Sequence, residues 1–245
     1  MIRAVMVDSG EVLLRMMPWE ERLRRALRPW REVDASRVAR AASAARDWAA
    51  LAQPVDLLAS WADEDDYALA LAEVVAESLA LPGLDARYVR ETCHYLNACH
   101  AYADAREALG VLRGMGFWLG VISDAPPSMR AALARHGLMP LVDHVTLSSD
   151  VGHMKPEAEI FRAALAAAGV AAEEAVFVDD TPENVDGAHA LGFAQAYVID
   201  RDGQAAARRD RLPDLSALPA LLAPHAPALR AGARVPEVGP GTPGA

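Results

Sequence analysis

The strongest constraint on the fold is an alternation along the chain, in which short β-rich apolar runs are separated by longer helical stretches. The runs are Ile2–Val7, Phe117–Ser123, His144–Leu147, Ala175–Asp179 and Gln195–Ile199. The stretches between the later runs are Ala103–Met115, Pro126–His136, Pro156–Ala168 and Pro182–Leu191. Near-continuous apolar strands are buried on both faces, and two parallel strands need a long crossover, usually a helix. The pattern therefore predicts an α/β fold with a Rossmann-like parallel sheet.

Between the first run and Ala103 the pattern changes. Strand signals are absent, and helical periodicity runs from Pro18 through Arg28, Asp34 to Leu51, Asp63 to Leu81 and Asp85 to His100. Pro29, Pro54 and Pro82-Gly83 punctuate it. The expectation is an all-helical cap, residues 15–102, inserted after the first strand of a core made of 1–14 and 103–222. Residues 223–245, rich in Pro, Gly and Ala, are expected to form a disordered tail.

A net charge of -10 argues against nucleic acid or an anionic membrane as partner, since both reward excess Lys and Arg. No uncharged apolar run reaches the length of a membrane span. Two cysteines, Cys93 and Cys99, make neither a disulfide framework nor a zinc site, and a cytoplasmic location is expected. The oligomeric state, monomer or homodimer, stays open. Of 24 basic residues the only lysine is Lys155. One lysine kept against so strong a bias towards arginine points to a site that needs a compact ammonium.

Four segments stand at the ends of predicted strands, where open α/β sheets place their ligands. Asp8 follows the first strand and suits a nucleophile or a metal ligand. Ser123 ends the second, with Asp124 beside it, and a small hydroxyl flanked by backbone N–H groups can bind a phosphoryl oxygen. Lys155, just before Pro156, can bring a point charge among carboxylates and phosphate. Asp179 and Asp180 are costly neighbours unless a hard cation such as Mg²⁺ is bound. Taken singly, each segment also reads as an ordinary strand-end turn.

In this order the four segments resemble the motifs of the haloacid dehalogenase superfamily. The resemblance covers Ile2 to Leu14 and Ala103 to about Leu222. The third and fourth segments, Leu147 to Glu157 and Val178 to Gly192, are similar to the α-glucose-1-phosphate phosphatase branch. The resemblance implies that Asp8 attacks phosphorus and forms an aspartyl-phosphate. Ser123, Asp124 and Lys155 would then bind the substrate, with Ser123 on a phosphoryl oxygen and Lys155 on both nucleophile and phosphate. Asp8, the Gly10 carbonyl, Asp179 and Asp180 would hold Mg²⁺, and Asn184 would support the fourth loop. The expected partner is a small phosphorylated metabolite, a sugar phosphate first.

One departure matters. Most phosphatases of that family carry Asp two residues after the nucleophile as general acid and base, whereas this chain has Gly10 followed by Glu11. Three readings follow: a leaving group that needs little protonation, such as an anomeric oxygen; a proton from Glu11 or a cap residue; or a weakly catalytic binding protein. A dehalogenase is the rival enzyme, because halide leaves unprotonated. Its anionic substrate would be repelled by an unneutralised Asp179-Asp180 pair. In the cap, Arg87, Arg90, His94 and Asn97 share one helix face, which reads first as solvated and second as turned to substrate. Trp19 and Arg22 begin the cap close to Asp8 and are candidates to touch substrate. His153 and His189 read as structural or solvent-facing.

Overall fold

The computed structural model describes residues 1–30, 33–203 and 208–227. The chain opens with β1 (Ala4–Val7) and β2 (Leu14–Met16). Four helices follow, α1 (Trp19–Ala26), α2 (Ala35–Leu51), α3 (Trp61–Leu79) and α4 (Ala86–Cys93), and β3 (Cys99–Ala101) closes this insertion. The rest alternates: α5 (Ala103–Gly114), β4 (Trp118–Ser123), α6 (Met129–Arg135), β5 (His144–Leu147), α7 (Ser148–Val151), α8 (Ala158–Ala168), β6 (Ala175–Asp179), α9 (Pro182–Leu191), β7 (Gln195–Ile199), β8 (Arg211–Leu212) and α10 (Leu218–Leu222).

Six strands form one sheet in the order β5-β4-β1-β6-β7-β8, and every pairing is parallel. β1 lies between β4 and β6, with Val7 opposite both Val121 and Val178. Its residues alternate between two buried clusters, as the two-residue period of a strand requires. Val5 and Val7 face Leu109, Leu112, Leu133 and Leu218 on one side. Ala4 and Met6 face Ile160, Phe161, Phe177 and Val185 on the other. Both faces are covered, which gives the α/β Rossmann-like architecture expected. The four inserted helices bury an apolar cluster of their own, including Leu23, Val38, Val75, Leu79 and Val89.

Several boundaries differ from expectation. Residues 15–102 are not all helical: the last helix stops at Cys93, and Cys99–Ala101 pairs antiparallel with Leu14–Met16. Three residues per strand are too few to show a period, and the pairing is fixed by long-range groups. Glu11 accepts the Met16 N–H through Oε1 at 2.8 Å and the Tyr102 hydroxyl through Oε2 at 2.6 Å. β8 is a second such strand, carried by β7 alone. The helices expected from Pro126 and Pro156 start at Met129 and Ala158. Of the expected tail, Ala223–His225 forms a 3₁₀ turn after α10, and residues 228–245 lie outside the described residues. Among those described, no helix is long and apolar enough to cross a membrane.

Candidate active site

A parallel sheet brings the C-terminal ends of its strands to one edge. Here that edge carries Asp8, Ser123 and Asp179, from three adjacent strands. The Asp8 N–H continues the β1–β6 ladder by donating to the Val178 carbonyl at 2.8 Å. Lys155 enters from the loop between α7 and α8, held by its own N–H donating to Asp124 Oδ1 at 2.9 Å. Its Nζ donates to Asp8 Oδ1 and Asp179 Oδ2, both at 2.7 Å, and to the Ile122 carbonyl at 3.2 Å. Three acceptors thus meet the three donors of an ammonium, an arrangement a planar guanidinium does not match. Asp179 Oδ1 also accepts from the Thr181 N–H at 2.8 Å and from Asn184 Nδ2 at 3.1 Å. Ser9 Oγ and Ser123 Oγ share a buried hydrogen bond of 2.5 Å.

Burial dominates the electrostatics. It pushes the Asp8 carboxyl up to about 7 against the pull of Lys155, and Asp179 and Asp180 add repulsion. Burial and Asp179 push Asp180 up to about 6. Burial also opposes the charge on Lys155, yet Asp8, Asp179 and Asp124 hold it above its ordinary value. One oxygen each from Asp8, Asp179 and Asp180 lies within 4.8 Å of the others. Three carboxylates facing one ammonium, all with oxygen donors, fit a hard divalent cation such as Mg²⁺. The Gly10 carbonyl accepts the Val12 N–H at 2.6 Å and keeps a second lone pair.

A Cβ placed on Gly10 would meet only Asp8 Oδ2, at 3.7 Å, an ordinary contact. Glycine is therefore not required here by space. Glu11 (φ 51°) has both oxygens committed to Met16 and Tyr102 and does not line the cavity. Its proposed service as proton donor finds no geometric support.

Above the strand ends lies a cavity of about 440 Å³, walled by both the core and the inserted helices. Trp19 and Arg22 line it, as expected from their position. Arg22 is fixed by the Met17 carbonyl at 2.7 Å and the Cys93 carbonyl at 3.4 Å. The residues expected on one polar helix face divide, because α4 ends at Cys93 and leaves His94 and Asn97 beyond it. His94 lines the cavity, Arg90 and Asn97 line a separate groove, and Arg87 is exposed. A wholly solvated face is thus corrected at His94. Sequence reasoning missed Asp56, Glu64, Tyr67 and Leu71, all in the wall. Glu64 is buried and accepts the Ser128 N–H at 3.1 Å and the Ser128 hydroxyl, with His94 Nε2 3.6 Å away. It joins α3 to the start of α6. As an acid in the first turn of a helix it looks like any dipole-favoured surface residue, so the sequence holds no signal for it. His153 and His189 pair with Glu157 and Asp210 outside the cavity.

The haloacid dehalogenase-like hydrolase profile matches residues 2–192, and the chain belongs to that family. It is 36% identical over 130 residues to a phosphatase of Mycobacterium tuberculosis, covering 52% of this chain and 58% of that one. It is 32% identical over 157 residues to a phosphoserine phosphatase of Thermus thermophilus, covering 62% and 61%. The chain thus spans about three fifths of the length of these curated relatives. The L-2-haloacid dehalogenase of Xanthobacter autotrophicus has a similar structure, with a TM-score of 0.64, 20% identity, and coverage of 91% and 99%. At that identity the likeness speaks for the fold alone.

Proposed function

We propose that the protein is a Mg²⁺-dependent phosphatase that hydrolyses a small phosphomonoester through an aspartyl-phosphate on Asp8, with residues 15–102 acting as its cap. The observation that carries this reading is the cluster of Asp8, Asp179 and Asp180 around Lys155. Its excess negative charge suits a cation and a phosphate together. A haloacid carboxylate arriving without a metal would meet net repulsion, so the same cluster disfavours a dehalogenase. The phosphatases among the relatives agree with this choice.

The residues divide the work. Lys155 orients Asp8 through Oδ1 and offsets charge on the phosphate. The Ser123 hydroxyl and the N–H groups after it bind a phosphoryl oxygen, while Asp124 holds the Lys155 loop in place. Asn184 and the Thr181 N–H fix Asp179. An Asp8 oxygen bonds to phosphorus as the ester P–O bond breaks, and water then cleaves the aspartyl-phosphate. Bound by Asp8, Asp179, Asp180 and the Gly10 carbonyl, Mg²⁺ would supply charge stabilisation to the phosphoryl group. The cavity volume limits the leaving group to a small molecule, with sugar phosphates the first class to test.

The experiment is phosphate release from a panel of phosphomonoesters, with Mg²⁺ and with chelator, for the wild type and Asp8→Asn. Metal-dependent turnover that Asp8→Asn abolishes is the expected result. Release from no ester, or release that survives in Asp8→Asn, overturns the reading.

A further inference from the structure

The cavity holds one acid that the reaction above leaves without a task. Asp56 lies in a single 3₁₀ turn, Val55–Leu57, between α2 and α3. Its carbonyl accepts the Ser148 hydroxyl at 2.5 Å, and Ser148 Oγ accepts the Ala125 N–H at 3.0 Å. Ala125 follows β4 and Ser148 follows β5, so two hydrogen bonds tie this turn to the strand ends that carry the phosphate site. Asp56 lines the same cavity as Asp8, Ser123 and Lys155. The charged or titratable groups facing it are Asp124 and Lys155 from the core, and Glu64 and Tyr67 from α3.

The wall's histidine and its other carboxylates are occupied. Glu64 holds Ser128. His94 accepts the Leu96 N–H through Nδ1 at 3.3 Å and has Nε2 beside Glu64. Asp124 braces the Lys155 amide, and Asp180 belongs to the metal cluster. Among the described residues, no donor hydrogen-bonds the Asp56 carboxylate.

We propose that Asp56 is the general acid and base of the reaction, delivered by the cap in place of the carboxylate absent at Gly10; the assignment rests on the phosphatase reading above. As the Asp8 oxygen bonds to phosphorus and the ester P–O bond breaks, the leaving oxygen takes the proton of the Asp56 carboxyl and departs as an alcohol. The Asp56 carboxylate then removes a proton from the water that attacks the aspartyl-phosphate. Asp8 and protonated Asp56 are regenerated, and phosphate leaves. Burial and the nearby Asp124 push the Asp56 carboxyl up to about 6, which keeps a usable protonated fraction near neutrality.

The test is leaving-group dependence. kcat/KM, which covers steps up to alcohol release, is measured with Mg²⁺ on p-nitrophenyl phosphate and on a primary-alcohol sugar phosphate. Wild type, Asp56→Asn and the double variant Gly10→Asp/Asp56→Asn are compared. Asp56→Asn is expected to lose about 10²–10⁴-fold on the sugar ester. On the aryl ester, whose phenolate leaves without a proton, it is expected to lose less than about tenfold. The double variant, whose new Cβ meets no close contact at position 10, is expected to recover at least about tenfold on the sugar ester. An equal loss on both esters, or no loss on either, overturns the Asp56 assignment and leaves the phosphatase intact. A wild type inactive on both esters overturns the phosphatase reading and the assignment with it.

Discussion

Lys155 is surrounded by Asp8 Oδ1, Asp179 Oδ2 and the Ile122 carbonyl, all buried, and it is the only lysine in the chain. Removing its charge strands two carboxylates out of water. Lys155→Met is expected to cost about 3–5 kcal/mol in a urea titration at neutral pH, and Lys155→Arg should not restore the loss, because a planar fork does not reach three acceptors set around one point. Asp56 should show the opposite trend. Its folded-state value, about 6, lies above the ordinary 3.8. The folded protein thus holds this proton more tightly than the unfolded chain, and the stability it gives is lost as pH rises through about 6. Asp56→Asn should therefore be more stable than wild type at pH 7.5 by on the order of 2 kcal/mol, with the difference gone by about pH 4. A gain in stability accompanied by a loss on alkyl esters is the pattern of a group kept for chemistry.

At the scale of elements, the turn after β1 connects Asp8 to the inserted helices. Arg201 lies 3.6 Å over the Tyr102 ring, donates to the Glu11 and Val12 carbonyls at 3.1 and 2.7 Å, and grips Asp104 through two bonds of 3.0 Å. Glu11 ties the same turn to β2 and Tyr102. Glu11→Ala should cost about 1–3 kcal/mol in thermal or denaturant unfolding, since it leaves the Met16 N–H and the Tyr102 hydroxyl without their partner. It should alter the ratio of alkyl to aryl ester turnover by less than about tenfold, and a selective collapse on alkyl esters would reinstate Glu11 as proton donor. None of this turn architecture was legible in the sequence. Five of the six sheet strands were, to within a residue or two, because buried parallel strands are dense apolar runs between helices. The β2–β3 ribbon was not, because its pairing joins residues 83 to 87 positions apart. Asp8, Ser123 and Asp179 could be read because each ends or directly follows a strand, and Lys155 because it is the only lysine in the chain. Asp56 and Glu64 could not, because an acid in a helical region looks solvated until the chain folds it inwards.

At the scale of the whole molecule, the site exists only in the folded chain. Asp8, Asp179 and Asp180 lie at opposite ends of the matched family region and meet through the β1–β6 pairing. A cation they hold should bind the native state and not the unfolded chain, and so stabilise it by about 2.7 kcal/mol at a hundred times its Kd. For a chain of this size that is a rise of several degrees in Tm. The rise should appear with MgCl₂ at pH 7.5 and be absent with NaCl at equal ionic strength. It should shrink as pH falls towards 5.5, because burial holds Asp8 near 7 and Asp180 near 6 in the metal-free protein, and protons then compete for the same oxygens. Asp180→Asn separates charge from fold. It should raise Tm without metal, because it removes repulsion from Asp179, and flatten the response to Mg²⁺. A wild type whose Tm ignores Mg²⁺ at pH 7.5 would show that Lys155 alone balances the cluster, and the metal site as proposed would be wrong.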